Sequence, residues 1–299
     1  MNMSEIITDA KPFLKWVGGK TQLLNEISKY YPEKIEKYCE PFVGGGAVLF
    51  DILTKFQPKE VLINDINPEL TNTYVQIKDN VNDLITLLSS WQSHYVSLDM
   101  DARKEDFYEK RSRFNDLILA KEDSVEKAAL MIYLNKTCFN GLYRVNGKGL
   151  YNVPSGVYKN PSICNADNLR AVSKALKDVQ ILTGAYSQTE GFIDKNTFVY
   201  IDPPYRPLTK TSAFTSYSKE GFDDDKQIEL GNFVARIHNR GNGAKVLLSN
   251  SDPKNANPDD NFFDELYKDF DIQRVNASRM INSNASGRGE ITEIMVACF

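Results

Sequence analysis

The chain has 299 residues, 41% of them hydrophobic and 25% charged, with a formal net charge of −4. This composition is typical of a globular protein, and no apolar run approaches the roughly 18 residues of a membrane-spanning helix. The four cysteines are far apart and only two histidines are present, which argues against a zinc site. We therefore expect a reduced, cytoplasmic protein that holds no metal.

Near the N-terminus, residues 16–21 read WVGGKT. The tripeptide GKT is also how the phosphate-binding P-loop motif ends. A P-loop also needs a glycine at the position that Leu14 holds, and a buried strand before the loop. The preceding KPFLK is too short for that strand, which disfavours an ATPase or a kinase.

Apolar runs that end in turn residues predict the strands of a sheet. Such runs are found at residues 36–42, 60–65, 197–205 and 244–250. Helical patterns follow the first two runs, and two C-terminal runs, 271–280 and 290–299, predict an antiparallel hairpin. Strands that alternate with helices indicate an α/β fold with a parallel sheet.

Residues 70–165 break this alternation, because polar helical patterns are followed there by NGLYRVNGKGLYNVPSGVY. We predict a helical insertion that ends in a twisted β-hairpin. Between Glu126 and Asp167 there is no acidic residue, while five basic residues alternate with five aromatic ones. That mixture suits a nucleic acid with stackable bases, and a solvated loop whose acids are absent by chance is the alternative.

The first predicted strand runs into PFVGGGAVLF, where Gly44 and Gly46 copy the start of a dinucleotide fingerprint. The third glycine would fall at Leu49, so the phosphate-binding form is incomplete. Asp65 ends the next strand, about 20 residues on, where an acid accepts the ribose hydroxyls of an adenosine cofactor. An adenosine-containing ligand is favoured, with tight helix–strand packing and a nicotinamide-dependent oxidoreductase as alternatives.

The tetrapeptide DPPY, Asp202 to Tyr205, follows a buried run and therefore lies at the sheet edge where open α/β folds bind ligands. Its prolines fix the backbone, so that the Asp202 carboxylate and the Pro203 carbonyl can accept both hydrogens of one amino group. Tyr205 offers a flat face to the ring, and an ordinary proline turn is the alternative. An adenosine cofactor beside an amine cradle favours methyl transfer from S-adenosylmethionine to a base amine flipped out of a duplex.

Together these motifs resemble the Dam-type DNA adenine-N6 methyltransferases of the D12 class, along essentially the whole chain. FLKWVGGK, PFVGGGAVLF, NDINPEL and DPPY stand in that family's order, and KVLLSNSD and SRMINSNASGRGEITEIMVAC are similar to its later motifs. CFNGLYRVNGKGLYNVPSGVY is similar to the recognition hairpin of the members that read GATC.

The resemblance implies a Rossmann-like S-adenosylmethionine-dependent methyltransferase sheet with an inserted helical and β-hairpin DNA-recognition domain. The catalytic domain would comprise residues 1–69 and 166–299, and the target-recognition domain residues 70–165. The implied activity is methylation of adenine N6 in double-stranded DNA within GATC. We expect a monomer, or two copies on one DNA.

The resemblance also implies the site residues. The flipped adenine is held by Asp202, Pro203, Pro204 and Tyr205. The cofactor is contacted by Trp16, Gly18, Lys20, Phe42, Gly44, Gly46, Asp65, Ile66, Tyr186 and Asp202, with Lys20 at its methionine end. The DNA is contacted by Lys15, Phe139, Asn140, Leu142, Arg144, Asn152, Pro154 and Tyr158. Lys15 would lie near the first guanine, Arg144 would read a guanine edge, and Phe139 would fill the vacated base stack.

One stretch departs from the family pattern. LTGAYSQ carries Ala185 where many members have an acid that contacts the cofactor adenine, which leaves Tyr186 to stack. Methylation of another DNA sequence, methylation of RNA and a non-catalytic DNA-binding role remain alternatives.

The net negative charge implies that positive charge is concentrated where DNA binds. We expect it on the predicted hairpin, at Lys11 and Lys15, and around Arg279 and Arg288. Residues 206–222 and 282–289 carry Ser, Thr, Asn and Gly, and we expect them to be mobile without DNA.

Overall fold

The computed structural model describes residues 9–206, 222–239, 243–278 and 290–299. The chain divides into two compact units. The first unit comprises Met1–Gly19, Gly44–Lys55 and Asn64–Ala185. The second unit comprises Lys20–Val43, Phe56–Ile63 and Tyr186–Phe299. The predicted recognition range, residues 70–165, falls within the first unit.

The described strands form one mixed seven-stranded sheet. They are β1 (Lys37–Glu40), β2 (Glu60–Asp65), β3 (Val179–Thr183), β4 (Thr197–Ile201), β5 (Lys245–Ser251), β6 (Asp271–Ser278) and β7 (Glu290–Cys298). Their order is β3-β2-β1-β4-β5-β7-β6. The pairs β1–β2, β1–β4 and β4–β5 are parallel, whereas β7 is antiparallel to β5 and β6. The predicted parallel sheet and the predicted C-terminal hairpin are thus confirmed.

Burial explains which strands the sequence revealed. Every residue of β4 is buried, which requires apolar side chains on both faces and produces a continuous apolar run. Strand β3 was not predicted, because it lies at the sheet edge with only its first residue buried. A short, half-exposed strand has no such run.

Nine helices occur in the described ranges. They are α1 (Leu24–Ile27), α2 (Ala47–Lys55), α3 (Pro68–Asp79), α4 (Val81–Ser97), α5 (Met100–Ala120), α6 (Val125–Thr137), α7 (Ala166–Leu176), α8 (Asp224–Asn239) and α9 (Phe262–Leu266). Local chemistry sets several starts: the Asn67 side chain accepts the N–H groups of Glu69 and Leu70, with Pro68 in the first turn. Asp99 caps α5 and Ser124 caps α6 in the same way.

Helix α6 is buried on nearly all sides, and it packs against α3, α4 and α5. A helix surrounded by others is apolar all round, so its sequence lacks the one-sided stripe of a surface helix. In its buried contact with α5, the Tyr133 hydroxyl donates to the Asp106 carboxylate. The helical part of the predicted insertion is therefore a compact bundle.

Residues 138–158, named here the hairpin segment, follow α6. Their β pairing is confined to two isolated antiparallel bridges, Cys138 with Ser155 and Val145 with Tyr151. A tight turn closes the tip, where the Asn146 N–H donates to the Leu150 carbonyl at 2.8 Å. The segment folds back on itself as predicted, but it forms no continuous strands.

Several expectations concern parts of the chain that are not described. Arg279 and Arg288, residues 207–221 and the whole predicted 282–289 loop lie outside the described residues. In the ranges that are described, no helix combines the length and apolarity needed to cross a bilayer. All four cysteines are free thiols.

Candidate active site and nucleic-acid interface

Asp202 lies just beyond β4 and anchors a polar cluster in the second unit. Its Oδ1 atom accepts from the Lys20 ammonium at 2.8 Å and from the Ser249 hydroxyl at 3.2 Å. Ser249 in turn contacts the buried Tyr200 hydroxyl at 2.9 Å. Among the described residues both donors to this carboxylate use Oδ1, so Oδ2 keeps acceptor capacity.

Lys20 is the cation of the cluster, with 4% of its side chain exposed. Its ammonium also lies 3.6 Å from Glu293 on β7 and donates to the Tyr205 hydroxyl at 2.8 Å. The sequence led us to expect Lys20 at the methionine end of the cofactor, and in the structure its ammonium is paired with two protein carboxylates. Two acids and one base in a buried site are unusual and indicate a functional role.

The titration of this cluster follows from burial and pairing. Burial raises the pKa of Asp202 above its usual value, although Lys20 and Ser249 oppose the shift. Burial likewise raises the pKa of Glu293. Burial by itself would lower the pKa of Lys20, but Asp202 and the neighbouring acids outweigh it and raise that pKa. The lysine is therefore held as a cation, and it favours the ionised form of Asp202.

The two prolines are placed differently. Pro203 is buried, whereas the Pro204 carbonyl accepts from the Gln227 side chain at 3.1 Å. Gln227 is fixed in turn by Asn250 at 3.1 Å. A second layer of side chains from α8 and β5 therefore holds the backbone of DPPY in place.

Arg206 follows DPPY directly and was missed by the sequence reasoning. Its guanidinium makes two bonds to Asp224, at 2.5 and 2.9 Å, and one to Asp260 at 2.6 Å. It also lies 4.3 Å from the centre of the Phe262 ring. Charge-assisted bidentate bonds are geometrically specific, so this side chain ties the end of DPPY to α8 and to the turn before α9.

Ser249 and Glu293 were also missed. Neither lies near DPPY in sequence, and only the polar stretch SNSD at the end of the apolar β5 run hinted at Ser249. Glu293 is a charged residue, 9% exposed, inside the apolar C-terminal strand. An acid at a buried strand position was the available signal, because such a position normally holds an apolar side chain.

The remaining aromatic residues predicted to bind cofactor in the second unit are brought together. Phe42 and Tyr186 stack with ring centres 5.2 Å apart, and Tyr186 also packs edge-on against Phe233. Burial raises the pKa of Tyr186 to about 12, so its hydroxyl stays neutral. Ala185, the departure from the family pattern, is exposed.

In the first unit, the glycines of PFVGGGAVLF pack against aromatic side chains. A Cβ on Gly45 would lie 2.9 Å from the Trp16 Cβ, and one on Gly46 would lie 2.5 Å from the Tyr74 hydroxyl. Gly44 adopts a φ of +48° and lies against the Trp16 ring. Protein packing therefore explains these glycines in part. For Gly18, by contrast, the requirement is its φ of +78°, because nothing would obstruct a Cβ there.

Asp65 ends β2 with both carboxylate oxygens engaged. Oδ2 accepts from the Gly44 N–H and Oδ1 from the Asn67 N–H, each at 3.0 Å. Burial raises the pKa of Asp65, while these backbone bonds lower it. The next residue, Ile66, is 60% exposed. Because a carboxylate has about four acceptor positions, Asp65 retains acceptor capacity beyond these backbone bonds.

The hairpin segment and Lys15 gather the predicted DNA contacts in the first unit. The Lys15 ammonium lies 5.1 Å from the centre of the Tyr158 ring. Arg144 is exposed, and its Nε donates to the Asn152 side chain at 2.8 Å. Leu142 is half-buried and Pro154 is exposed.

Phe139 and Asn140 form a projecting corner of the same segment. Phe139 is 53% exposed, and Asn140 has a φ of +55°, which is uncommon for a residue other than glycine. An exposed aromatic ring beside a left-handed residue fits insertion into a base stack. Nearby, burial and the charge of Lys15 lower the pKa of the half-buried Lys136 to about 8.

Comparison with known proteins identifies the family. The model of the D12 class N6 adenine-specific DNA methyltransferases matches residues 16–281. The Type II methyltransferase M.MjaIII of Methanocaldococcus jannaschii is 49% identical, over 96% of this chain and 99% of its own. The Type II methyltransferase M1.LlaDCHI of Lactococcus lactis subsp. cremoris is 41% identical, over 96% and 94%. A DNA adenine methylase of Haemophilus influenzae is 34% identical, over 95% and 92%.

These matches span nearly the whole chain. They rule out the nicotinamide-dependent oxidoreductase that the partial glycine fingerprint had left as an alternative. They also agree with the DPPY cluster, because an acid that accepts from an amine suits transfer to an exocyclic amino group. The chain belongs to the D12 class of N6 adenine-specific DNA methyltransferases, which transfer a methyl group from S-adenosylmethionine to adenine N6 in DNA.

Proposed function

We propose that this enzyme methylates the adenine of GATC in double-stranded DNA, and that Asp202, Pro203, Pro204 and Tyr205 hold the flipped base. The role of Asp202 is assigned because only one of its two carboxylate oxygens accepts hydrogen bonds from described protein side chains. Oδ1 is held by Lys20 and Ser249, so Oδ2 remains to accept an N6 hydrogen. The Pro203 carbonyl is the second acceptor.

The residues act by positioning and charge. S-adenosylmethionine supplies the methyl group on a sulfonium that is a good leaving group, so the enzyme needs no strong base. Lys20 favours ionised Asp202, whose hydrogen bond to N6 raises the electron density on that nitrogen and makes its lone pair available for attack. The Tyr205 ring packs against the base while its hydroxyl is fixed by Lys20 at 2.8 Å. Groups that need not reorganise during the reaction supply most of the acceleration.

The residues assigned to the cofactor fit an adenosine-containing ligand within each unit. Asp65 is held in place by two backbone N–H groups and retains acceptor positions for the ribose hydroxyls. Exposed Ile66 offers an apolar surface beside it. In the second unit, the stacked Phe42 and Tyr186 offer aromatic surface for the adenine, consistent with the missing acid at Ala185.

The GATC assignment rests on the guanidinium of Arg144. Its Nε and one terminal nitrogen are held by Asn152, at 2.8 and 3.4 Å. A guanidinium has five N–H donors, so this anchoring still leaves hydrogens on both terminal nitrogens for a bidentate contact with guanine O6 and N7. GATC contains one guanine on each strand, and we assign the first to Lys15 and the other to Arg144.

Base flipping is assigned to the corner at Phe139. The ring would enter the space that the adenine leaves, and Asn140 would face the unpaired thymine. Leu142 and Pro154 would contact thymine methyl groups or neighbouring bases. Residues 70–165 would thus recognise the target, and residues 1–69 and 166–299 would carry out transfer. We propose that the enzyme is a cytoplasmic monomer. Sedimentation of the enzyme–DNA complex measures how many copies bind one site.

The test uses labelled S-adenosylmethionine and matched duplexes. One duplex holds a single GATC, and the others have one base pair of that site changed. We expect label on the GATC duplex alone, and N6-methyladenine as its only modified nucleoside. Equal labelling of the altered duplexes would exclude GATC specificity. An RNA duplex of the same sequence serves as the competitor that tests the RNA alternative.

A further inference from the structure

The arms of the hairpin segment are paired at only a few points. Two isolated bridges and the tight turn at the tip pair the arms, and no continuous ladder extends along these residues. A weakly paired hairpin is prone to slip, and a slip of one residue reverses the face to which each side chain points. Contacts from outside the segment therefore contribute to the positions of the base-reading residues.

Asn135 on α6 supplies one fixed point. Its side chain is 3% exposed, and its oxygen accepts from the Lys15 N–H at 2.8 Å. Its amide nitrogen donates to the Lys15 carbonyl at 2.8 Å and to the Gly141 carbonyl at 3.0 Å. One buried amide thus joins Lys15 to the first arm of the hairpin segment across 120 residues of sequence.

Lys15 is tightly held at this junction. A Cβ on Gly141 would lie 2.5 Å from the Lys15 Cδ, so glycine is required for the lysine stem to pass. Gly141 also has a φ of +65°. The ammonium then lies over the Tyr158 ring. The direction in which Lys15 points is therefore set by Asn135 and Gly141 together.

Asn115 on α5 makes the equivalent contact with the second arm. Its oxygen accepts from the Tyr151 N–H at 2.8 Å, and its nitrogen donates to the Tyr151 carbonyl at 3.1 Å. Tyr151 is followed by Asn152, whose N–H donates to the Arg144 carbonyl at 3.1 Å. The backbone that carries Arg144 is therefore connected to α5 through this amide, and the Arg111 guanidinium of α5 adds a bond to the neighbouring Val153 carbonyl at 3.2 Å.

We infer that Asn135 and Asn115 are specificity-determining positioning residues, each responsible for a different base pair of the target. Asn135 sets the reading of the first base pair through Lys15, and Asn115 sets the reading of the fourth through Arg144. The inference rests on the proposed GATC function. Neither asparagine touches DNA in this scheme, because both act through the residues that they hold.

The test is a crossover of two variants and two altered duplexes. Discrimination is the ratio of kcat/KM on GATC to kcat/KM on a duplex with either the first or the fourth base pair changed. Asn135→Ala should reduce the first ratio about tenfold, which is the order of one lost base contact, and leave the fourth unchanged. Asn115→Ala should do the reverse. Gly141→Ala should reproduce the Asn135→Ala pattern by displacing Lys15.

The matched control is Asn168→Ala. Asn168 makes the same pair of amide–backbone bonds, both at 2.9 Å, to Lys11. The Asn168→Ala variant should show the same two discrimination ratios as the wild-type enzyme. Melting temperatures of all variants identify loss of folding, which lowers activity on every duplex equally and leaves both ratios unchanged.

Equal changes in both ratios, or unchanged ratios with wild-type melting temperatures, would overturn the inference. If Asn135→Ala and Asn115→Ala are both too unstable to assay, Gly141→Ala decides for Lys15. A wild-type enzyme without preference for GATC would overturn the proposed function instead, and the same assay reports that result separately.

Discussion

The DPPY cluster and the hairpin segment are built in opposite ways. The cluster lies at the end of a fully buried strand, and its charges are paired within the protein at distances of 2.8 to 3.6 Å. The hairpin segment exposes Phe139 and Arg144, and side chains of two helices hold its backbone. Catalysis benefits from charges that are fixed in advance, whereas base reading needs donors that remain available to DNA.

The largest expected effect comes from removing the acid of the cluster. Asp202→Ala deletes the acceptor for N6, and we expect kcat to fall by about 10²–10³-fold or more. The dissociation constants for S-adenosylmethionine and for DNA should change only a few-fold. Single-turnover methyl transfer and equilibrium binding measure the two quantities. Loss of cofactor binding would contradict the assigned role, and Asp194→Ala, at the opposite end of β4, is the control that should retain transfer.

Removing the cation should destabilise the protein most. Lys20→Met leaves Asp202 and Glu293 buried without their partner, and breaking a buried ion pair costs about 3–5 kcal/mol. The pKa of each carboxyl should rise further, so the folded protein holds protons that the unfolded chain releases. The free energy of unfolding should then decrease as pH rises from about 4 through the raised pKa values.

Urea unfolding at acid and neutral pH measures this effect. Adding Glu293→Gln to Lys20→Met removes one of the two facing acids, and it should restore part of the stability at neutral pH. Equal loss at every pH, or no recovery in the double variant, would show that the two carboxylates do not share the lysine.

A smaller effect should follow from releasing the end of DPPY. Arg206→Ala removes three charge-assisted bonds, and we expect kcat to fall about tenfold, equivalent to about 1.4 kcal/mol in the barrier. The KM for DNA should change little, and added guanidinium ion should restore part of the rate. Arg236→Ala, which breaks a comparable pair with Glu190, should leave kcat unchanged. A loss confined to the melting temperature would make Arg206 a purely structural residue.

The smallest predicted effect concerns the charge of the recognition surface. Because the pKa of Lys136 is lowered to about 8, the side chain is a cation at pH 7 and largely neutral at pH 9. DNA affinity should therefore fall by at most about tenfold across that range. Lys136→Arg keeps its charge and should abolish this pH dependence. A wild-type affinity that is constant from pH 7 to 9 would contradict the lowered pKa.

The two regions also differ in what their sequence could reveal. Strand β2 was predicted with its observed bounds, and DPPY was placed at a strand end, because both features are contiguous in the chain. Ser249, Glu293 and Arg206 were missed, since their partners are distant in sequence or are ordinary surface acids. Strand β3 was missed because an exposed edge gives no apolar run.

In the recognition region, residue types were easier to predict than positions. The Gly, Asn and Tyr residues of the hairpin segment predicted that the chain turns back on itself there. Its lack of a ladder was not visible, because the side chains that hold its backbone, among them Asn115 and Asn135, lie on helices outside the segment. Nothing in those helices marks the two asparagines until the chain is folded.

The most direct test of the division between catalysis and recognition compares Asp202→Asn with Arg144→Ala on two duplexes, GATC and the site with its fourth base pair changed. We predict that Asp202→Asn loses transfer on both duplexes while it still binds GATC in preference. Arg144→Ala should keep its single-turnover rate at saturating GATC while losing its preference for that site. A loss of rate at saturation in Arg144→Ala, or a loss of binding preference in Asp202→Asn, would contradict that division.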